Sequence, residues 1–150
     1  MASSDVGVVK SLFYSVKNSN RENPAELEVD EDGVCLDKFY AKNINRSILI
    51  ASEHSYDLAK ENGIDIELGS LGENLFIDIN PYFLAVGSKV YVGDIILEIT
   101  QHCTICNSLS KVDEKLPELL KADRGVFSKC IKSGTIKKGD SVRFESPSQI

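Results

Sequence analysis

Residues 89–100, Lys89-Val90-Tyr91-Val92-Gly93-Asp94-Ile95-Ile96-Leu97-Glu98-Ile99-Thr100, set two β-rich runs on either side of a Gly-Asp pair. Branched and aromatic side chains flanking such a turn predict a hairpin, with strands at 89–92 and 95–100. Downstream, residues 126–131 and 141–145 predict a second strand pair around Gly139-Asp140. The runs 87–94 and 134–140 are similar in kind but not in spacing, so they read as two hairpins of one architecture rather than a repeat array. Upstream, residues 74–79 carry Leu75, Ile77 and Ile79 on one face of a strand.

The remaining chain extends the β pattern. Residues 6–16 hold Val6, Val8, Val9, Leu12, Phe13 and Val16 and predict a strand with an irregular end. Residues 18–24 are polar and predict a loop, and 25–29 a strand entering the acidic turn Asp30-Glu31-Asp32-Gly33. Four carboxylates at 28–32 lack the oxygen spacing of a calcium loop and read as a solvated turn. Residues 47–51 form a short buried strand. Ser52 as N-cap, Glu53 in the first turn and Gly63 as the stop predict a helix at 53–62. A second helix is predicted at 111–122, interrupted by Pro117, and residues 146–150 form a frayed tail. No alternating strand–helix–strand pattern calls for a parallel sheet. The expected fold is mainly β, a closed or nearly closed barrel of about seven strands with two or three short helices.

A chain of 150 residues fits one domain, 1–150, and 42% hydrophobic with 27% charged residues is ordinary for a globular protein. A net charge of −6 argues against nucleic acid, whose phosphates it repels. An anionic small ligand stays compatible, because local cations and backbone N–H groups outweigh a global charge. Residues 1–5 show no basic or apolar leader pattern, and the apolar runs fall far short of the roughly 20 residues a bilayer span requires. A cytoplasmic protein is expected, with reduced thiols at Cys35, Cys103, Cys106 and Cys130.

Chemistry-bearing residues gather at 100–106, Thr-Gln-His-Cys-Thr-Ile-Cys, and again at 124–140. Cys103 and Cys106 make a CxxC. A structural zinc site needs four ligands, and the chain adds only single Cys35, Cys130, His54 and His102. A redox pair needs a helix opening at the CxxC. A single thiolate serving a soft metal, or carrying sulfur, is a third reading, and plain packing a fourth. His102, if protonated, lowers the Cys103 thiol pKa. For an anion, the turn Gly69-Ser70-Leu71-Gly72-Glu73-Asn74 offers backbone donors, and Arg46 and Arg124-Gly125 offer guanidinium groups. Asp37 and Asp140 are candidate acids or hydrogen-bond acceptors, with a turn role at least as apt for Asp140. No Ser-His-Asp arrangement can be defended, and His54 reads as a surface imidazole.

The run Gly69-Ser70-Leu71-Gly72-Glu73-Asn74-Leu75 resembles the LGENL segment of MOSC domains, the C-terminal module of molybdenum cofactor sulfurases. The Gly-Asp hairpin leading into Glu98-Ile99-Thr100-Gln101, with Cys106 six positions after Thr100, is similar to the same family. So are the ending from Arg124-Gly125-Val126-Phe127 to Gly139-Asp140, and Asp37-Lys38 with Arg46 upstream. The resemblance covers about residues 34–145 and fits a short stand-alone member. It departs at Phe39 and Tyr40, where the family often has histidine, and at His102-Cys103, which leaves Cys103 with no family role.

The resemblance implies a barrel of the kind also found in pyruvate kinase, and the molybdenum cofactor, a pterin dithiolene with a phosphate tail, as ligand. It implies that Cys106 ligates molybdenum or holds a persulfide. It offers Arg46, Gly72, Asn74, Thr100, Arg124 and Gly125 as candidates around pterin and phosphate. Pyridoxal phosphate belongs to the desulfurase module of longer relatives, and no lysine here has a Schiff-base context. Implied partners are a cysteine desulfurase or a molybdoenzyme. Three functions follow: a cofactor or sulfur carrier, a small molybdenum-dependent reductase of N-oxygenated compounds with an external electron donor, or a barrel acting through protein contacts alone.

Overall fold

The computed structural model describes residues 6–16, 21–38, 40–69, 73–102 and 125–146. The strands are β1 (Val6–Leu12), β2 (Tyr14–Ser15), β3 (Arg21–Glu22), β4 (Glu26–Asp30), β5 (Gly33–Val34), β6 (Ile48–Ser52), β7 (Leu75–Ile77), β8 (Lys89–Val92), β9 (Ile95–His102), β10 (Val126–Lys132), β11 (Gly134–Lys137) and β12 (Ser141–Glu145). One helix, α1 (Glu53–Glu61), follows β6, and a 3₁₀ turn (Ile44–Arg46) precedes it. Seven strands close a barrel in the order β1-β12-β8-β9-β10-β6-β7. The strand β11 sits outside with β4 and β5, and β2 pairs with β3.

The hairpin expected at 89–100 is present, with Val92 opposite Ile95 across the Gly-Asp turn. Its period-two pattern sets the barrel's inside. Val90, Val92, Ile95, Leu97 and Ile99 are buried, while Lys89, Tyr91, Ile96 and Glu98 lie on the half-exposed face. Leu12, Ile48, Ile50, Leu75, Ile77 and Phe144 complete the interior from the other strands.

Two strands depart from that alternation. β6 and β7 are buried along their whole lengths, and they pair in parallel, Ile50 opposite Leu75 and Ser52 opposite Ile77. A parallel pair needs a crossover, and α1 supplies it, covering the outer face. Ala51, Ala59 and Ile64 form a second core there with Tyr56, Leu58 and Ile66. Among the described residues the barrel therefore holds one strand–helix–strand unit with a single parallel pair, a local feature that the sequence pattern did not point to, in an otherwise antiparallel barrel. The Ser52 cap is as expected, its side chain accepting the His54 N–H. The C-terminal end is a Schellman motif: Gly63 N–H donates to the Lys60 carbonyl and Ile64 N–H to that of Ala59.

Two expectations are corrected. β10 and β12 do not pair; β10 lies between β9 and β6, and β12 between β1 and β8. The chain between them leaves the barrel as β11 to pair with β4. Residues 21 and 22, expected in a loop, pair with Tyr14 and Ser15. The helix predicted at 111–122 lies outside the described residues. Among the described residues no helix is long and apolar enough to cross a membrane.

Closure rests on Asn74, the residue before β7. Its side-chain oxygen accepts the Leu49 N–H (3.0 Å) and its side-chain amide donates to the Phe13 carbonyl (3.1 Å). Its backbone adds two bonds to the same residues: Asn74 N–H to the Leu49 carbonyl, and Phe13 N–H to the Asn74 carbonyl. One buried residue thus ties β6, β7 and the end of β1 together.

Entry into β10 depends on Gly125, whose φ is +147°. A Cβ there runs into the Ile50 carbonyl oxygen and comes 3.5 Å from the Ala51 Cα. Neither obstacle is a flexible side chain. Gly125→Ala is expected to cost roughly 3 kcal/mol from a strained φ and backbone overpacking. That corresponds to a fall of roughly 10 °C in Tm for a chain of this size, read by thermal unfolding.

Candidate functional site

The strand β9 is irregular where the sequence pointed to chemistry. Phe127 faces Gln101 and Ser128 faces Ile99, so Thr100 is one extra residue with no partner in β10. Such a bulge bends the strand and breaks the ladder. Thr100 uses its hydroxyl to donate to the Asn45 carbonyl, fixing the 3₁₀ turn against the barrel wall. The same turn presents Arg46, whose guanidinium lies 4.6 Å over the Phe127 ring. Arg46 is exposed, and no carboxylate pairs with it among the described residues. Arg46 and Thr100, distant in sequence, thus share the outer face of β9–β10.

The bulge also decides the direction of His102. It sits opposite Val126, a fully buried residue, so it lies on the inward side at the barrel's rim. Its Nε2 is 2.8 Å from the Leu84 carbonyl oxygen, and its ring centroid is 4.7 Å from that of Tyr82.

Cys103, Cys106 and Arg124 lie outside the described residues, as does Gly72. The position of the first three in the chain is informative nonetheless. β9 ends at His102 and the described chain resumes at Gly125, and His102 and Val126 are cross-strand neighbours. The described residues that flank the two thiols and Arg124 in sequence, His102 and Gly125-Val126, are therefore at one point on the rim.

Other candidates serve the scaffold. Asn74 commits its amide to the closure described above. Asp37 is buried, accepts the Ser15 N–H at 2.8 Å and is tied to β2 and β5 rather than to β9. Asp140 accepts the Lys137 N–H at 2.8 Å, the turn role that its place after Gly139 suggests. His54 is exposed on α1.

Sequence reasoning passed over Glu73. It is fully buried, and its Oε2 accepts the Tyr56 O–H at 2.6 Å and the Gly69 N–H at 3.2 Å. A carboxylate beside glycines reads as solvent-facing. The signal against that reading is its place directly before the all-buried run Asn74-Leu75-Phe76-Ile77.

The acidic turn is organised by Asp30. Its carboxylate accepts the Asp32 N–H at 2.8 Å, the Tyr40 O–H at 2.6 Å and the Cys35 thiol at 3.6 Å. The Tyr40 bond holds the Asp30 carboxyl below its ordinary pKa. The same bond pushes the Tyr40 phenol up to about 12. Burial, and then the Asp30 charge, raises the Cys35 thiol. Cys130, inside the barrel, is pushed up to about 11, chiefly by burial. Among the described residues, no three His, Cys, Asp or Glu side chains are grouped to hold a metal.

No curated protein matches the chain. Among solved structures it is similar to the YuaD protein from Bacillus subtilis, with a TM-score of 0.85 at 16% identity over 97% of this chain and 99% of that one. It is also similar to YiiM from Geobacillus stearothermophilus (TM-score 0.74, 13% identity, 92% of this chain and 74% of that one). YiiM from Escherichia coli gives a TM-score of 0.67 at 17% identity over 93% of this chain and 70% of that one. At those identities the likeness is one of fold. The MOSC domain family model matches residues 37–143, most of the chain and the whole β6–β10 wall, so the chain belongs to the MOSC domain family.

Proposed function

We propose that this chain binds the molybdenum cofactor, or carries sulfur for it, through the thiolate of Cys106. The observation that carries this reading is the division among the four thiols. A thiolate, not a thiol, ligates metal or attacks sulfur. Cys35 and Cys130 are held protonated by burial and by the Asp30 carboxylate. The remaining pair, Cys103 and Cys106, lies in sequence between His102 and Gly125-Val126, the residues that meet at the rim. Of that pair, the family resemblance favours Cys106.

The described residues fit the anionic end of such a cofactor. Arg46 is exposed and pinned by its ring contact, so little side-chain freedom is lost on gripping a phosphate. Arg124, next to Gly125 in sequence, is the second candidate cation. When bound, the cofactor supplies a soft metal centre that favours sulfur ligands. Asn74, Thr100 and Gly125 act by shaping: Asn74 fixes the entry to β7 after Gly72, Thr100 holds the turn that presents Arg46, and Gly125 lets β10 approach β6. A cysteine desulfurase or a molybdoenzyme is the corresponding partner. No lysine here has a pyridoxal phosphate context.

Metal analysis of protein from a molybdenum-replete host is expected to find molybdenum near one per chain, or a persulfide by mass, with either lost in Cys106→Ser. A wild-type protein that acquires neither, with Cys106 closed to thiol reagents, overturns the reading. Reduction of an N-hydroxylated substrate with an artificial electron donor would make the loaded protein a reductase rather than a carrier.

The raised thiols make a second prediction. At pH 8, iodoacetamide is expected to modify the 103/106 pair well before Cys35 or Cys130, read by peptide mass mapping. For Cys130 the folded pKa, about 11, lies above the ordinary thiol value of 9.0. The folded state then binds more protons above pH 9, so this contribution is complete below about pH 9 and lost as the pH rises to about 11. Tm is expected to fall across that window, and Cys130→Val, which removes the titrating group at similar volume, to lessen the fall.

A further inference from the structure

Between α1 and the outer faces of β1 and β7 lies an open cleft of about 340 Å³, on strands that stand across the barrel from β9. A bulge shapes it. Val9 pairs with Ile77 and Ser11 with Phe76, so Lys10 is an extra residue in β1. Val9 and Leu12, three positions apart, both pack in the barrel core, and the bulge turns Lys10 and Ser11 between them to the outside. Ser11 shares that side with Phe76, whose ring meets Tyr56 of α1 edge-on at 5.2 Å between centroids. The Tyr56 O–H is bonded to Glu73, which fixes this aromatic wall.

Four side chains around the cleft have no partner among the described residues. Ser11 is only 6% exposed, yet its hydroxyl makes no hydrogen bond there and lines the cleft. Buried hydroxyls ordinarily find a partner, so this one marks a place for a ligand. Glu53 and Asp57, one turn apart on α1, overlook the same space. Carboxylates at that spacing repel each other. The helix dipole favours Glu53 in the first turn, but the effect fades by Asp57. Neither carboxylate has an ion-pair partner among the described residues, nor has Lys10 across from them on β1. Both signs of charge therefore border one cleft whose floor is apolar, with Phe76 beneath it and Leu68, 47% exposed, beside it.

We propose that this cleft binds a free α-amino acid with an apolar side chain. The ligand's ammonium sits at Glu53 and Asp57, and its carboxylate at Lys10 and the Ser11 hydroxyl, which donates. Its side chain lies on Phe76 and Leu68. A simple amine leaves Lys10 unmatched and a simple acid is repelled by the α1 carboxylates, so a zwitterion is the chemistry that suits both sides. A volume of about 340 Å³ is near the lower bound of ligand cavities and suits a molecule of this size. The site shares no residue with Cys106 or with the β9–β10 face, so it stands or falls apart from the cofactor reading.

The probe is L-phenylalanine, compared with phenethylamine, which lacks the carboxylate, and hydrocinnamate, which lacks the ammonium. Binding to the purified chain is read by saturation-transfer NMR. The amino acid is expected to bind with submillimolar affinity and each truncated probe about tenfold more weakly, the worth of one charge-assisted bond. Ser11→Ala is expected to weaken the amino acid several-fold without lowering Tm, because the hydroxyl has no partner in the fold to lose. Asp57→Asn is expected to weaken L-phenylalanine and phenethylamine but not hydrocinnamate. Lys10→Gln is expected to weaken L-phenylalanine and hydrocinnamate but not phenethylamine. No binding by the wild type at millimolar L-phenylalanine overturns the proposal. So does equal affinity for the three probes, or wild-type affinity in both Ser11→Ala and Asp57→Asn.

Discussion

A short barrel must satisfy every strand edge by closing on itself, and in this chain the joint is a single buried amide. Asn74 bonds to Leu49 on one side and Phe13 on the other, using side chain and backbone alike. Its neighbourhood is where the sheet changes character, antiparallel from β1 to β7 and parallel from β7 to β6. A parallel pair lacks the local turn that sets register in a hairpin, so register has to come from specific side-chain contacts. Asn74 supplies them, and the Tyr56–Glu73–Gly69 bonds just ahead of it tie the approach to α1. With the joint fixed, β6 is held where β10 meets it through Gly125, and β10 in turn sets the rim at His102.

This arrangement separates two kinds of polar residue that look alike in sequence. Asn74, Asp37 and Asp140 spend their side chains on backbone N–H or carbonyl groups and hold the frame. Arg46 lies over the Phe127 ring with its side chain exposed, and His102 is held at the rim by the Leu84 carbonyl and the Tyr82 ring. Groups oriented by the scaffold but not consumed by it are the form that ligand contacts take. The thiols divide in the same way, with Cys35 and Cys130 retained by the body of the fold.

Legibility in the sequence followed the range of the interactions. The β8–β9 hairpin, the Ser52 cap and the 26–34 turn are local, and their residues announce them. The β6–β7 pairing was hidden because residues 62–74 intervene, so the helix looked like an isolated insertion and not a crossover. The true neighbours of β10 and β12 were hidden for a similar reason: β11 stands between them and belongs to another sheet. At the site, Arg46 and Thr100 were singled out as separate candidates, but only the fold puts them on one face. The inward aim of His102 depends on a bulge, which a period-two reading misassigns by one step. Glu73 was missed because a buried carboxylate is identified by its Tyr56 partner, which is remote in sequence.

The pairing of β1 with β12 has a consequence for how the chain is made. Val6 lies opposite Arg143, so the first strand of the barrel waits for the last. The β8–β9 hairpin can form within microseconds of leaving the ribosome, but β1 has one barrel edge unsatisfied until residues 141–145 emerge. Contacts this distant in sequence slow folding and leave an open edge during synthesis. The nascent chain is therefore most exposed to misassembly late, with six barrel strands made and the seventh still inside the ribosome.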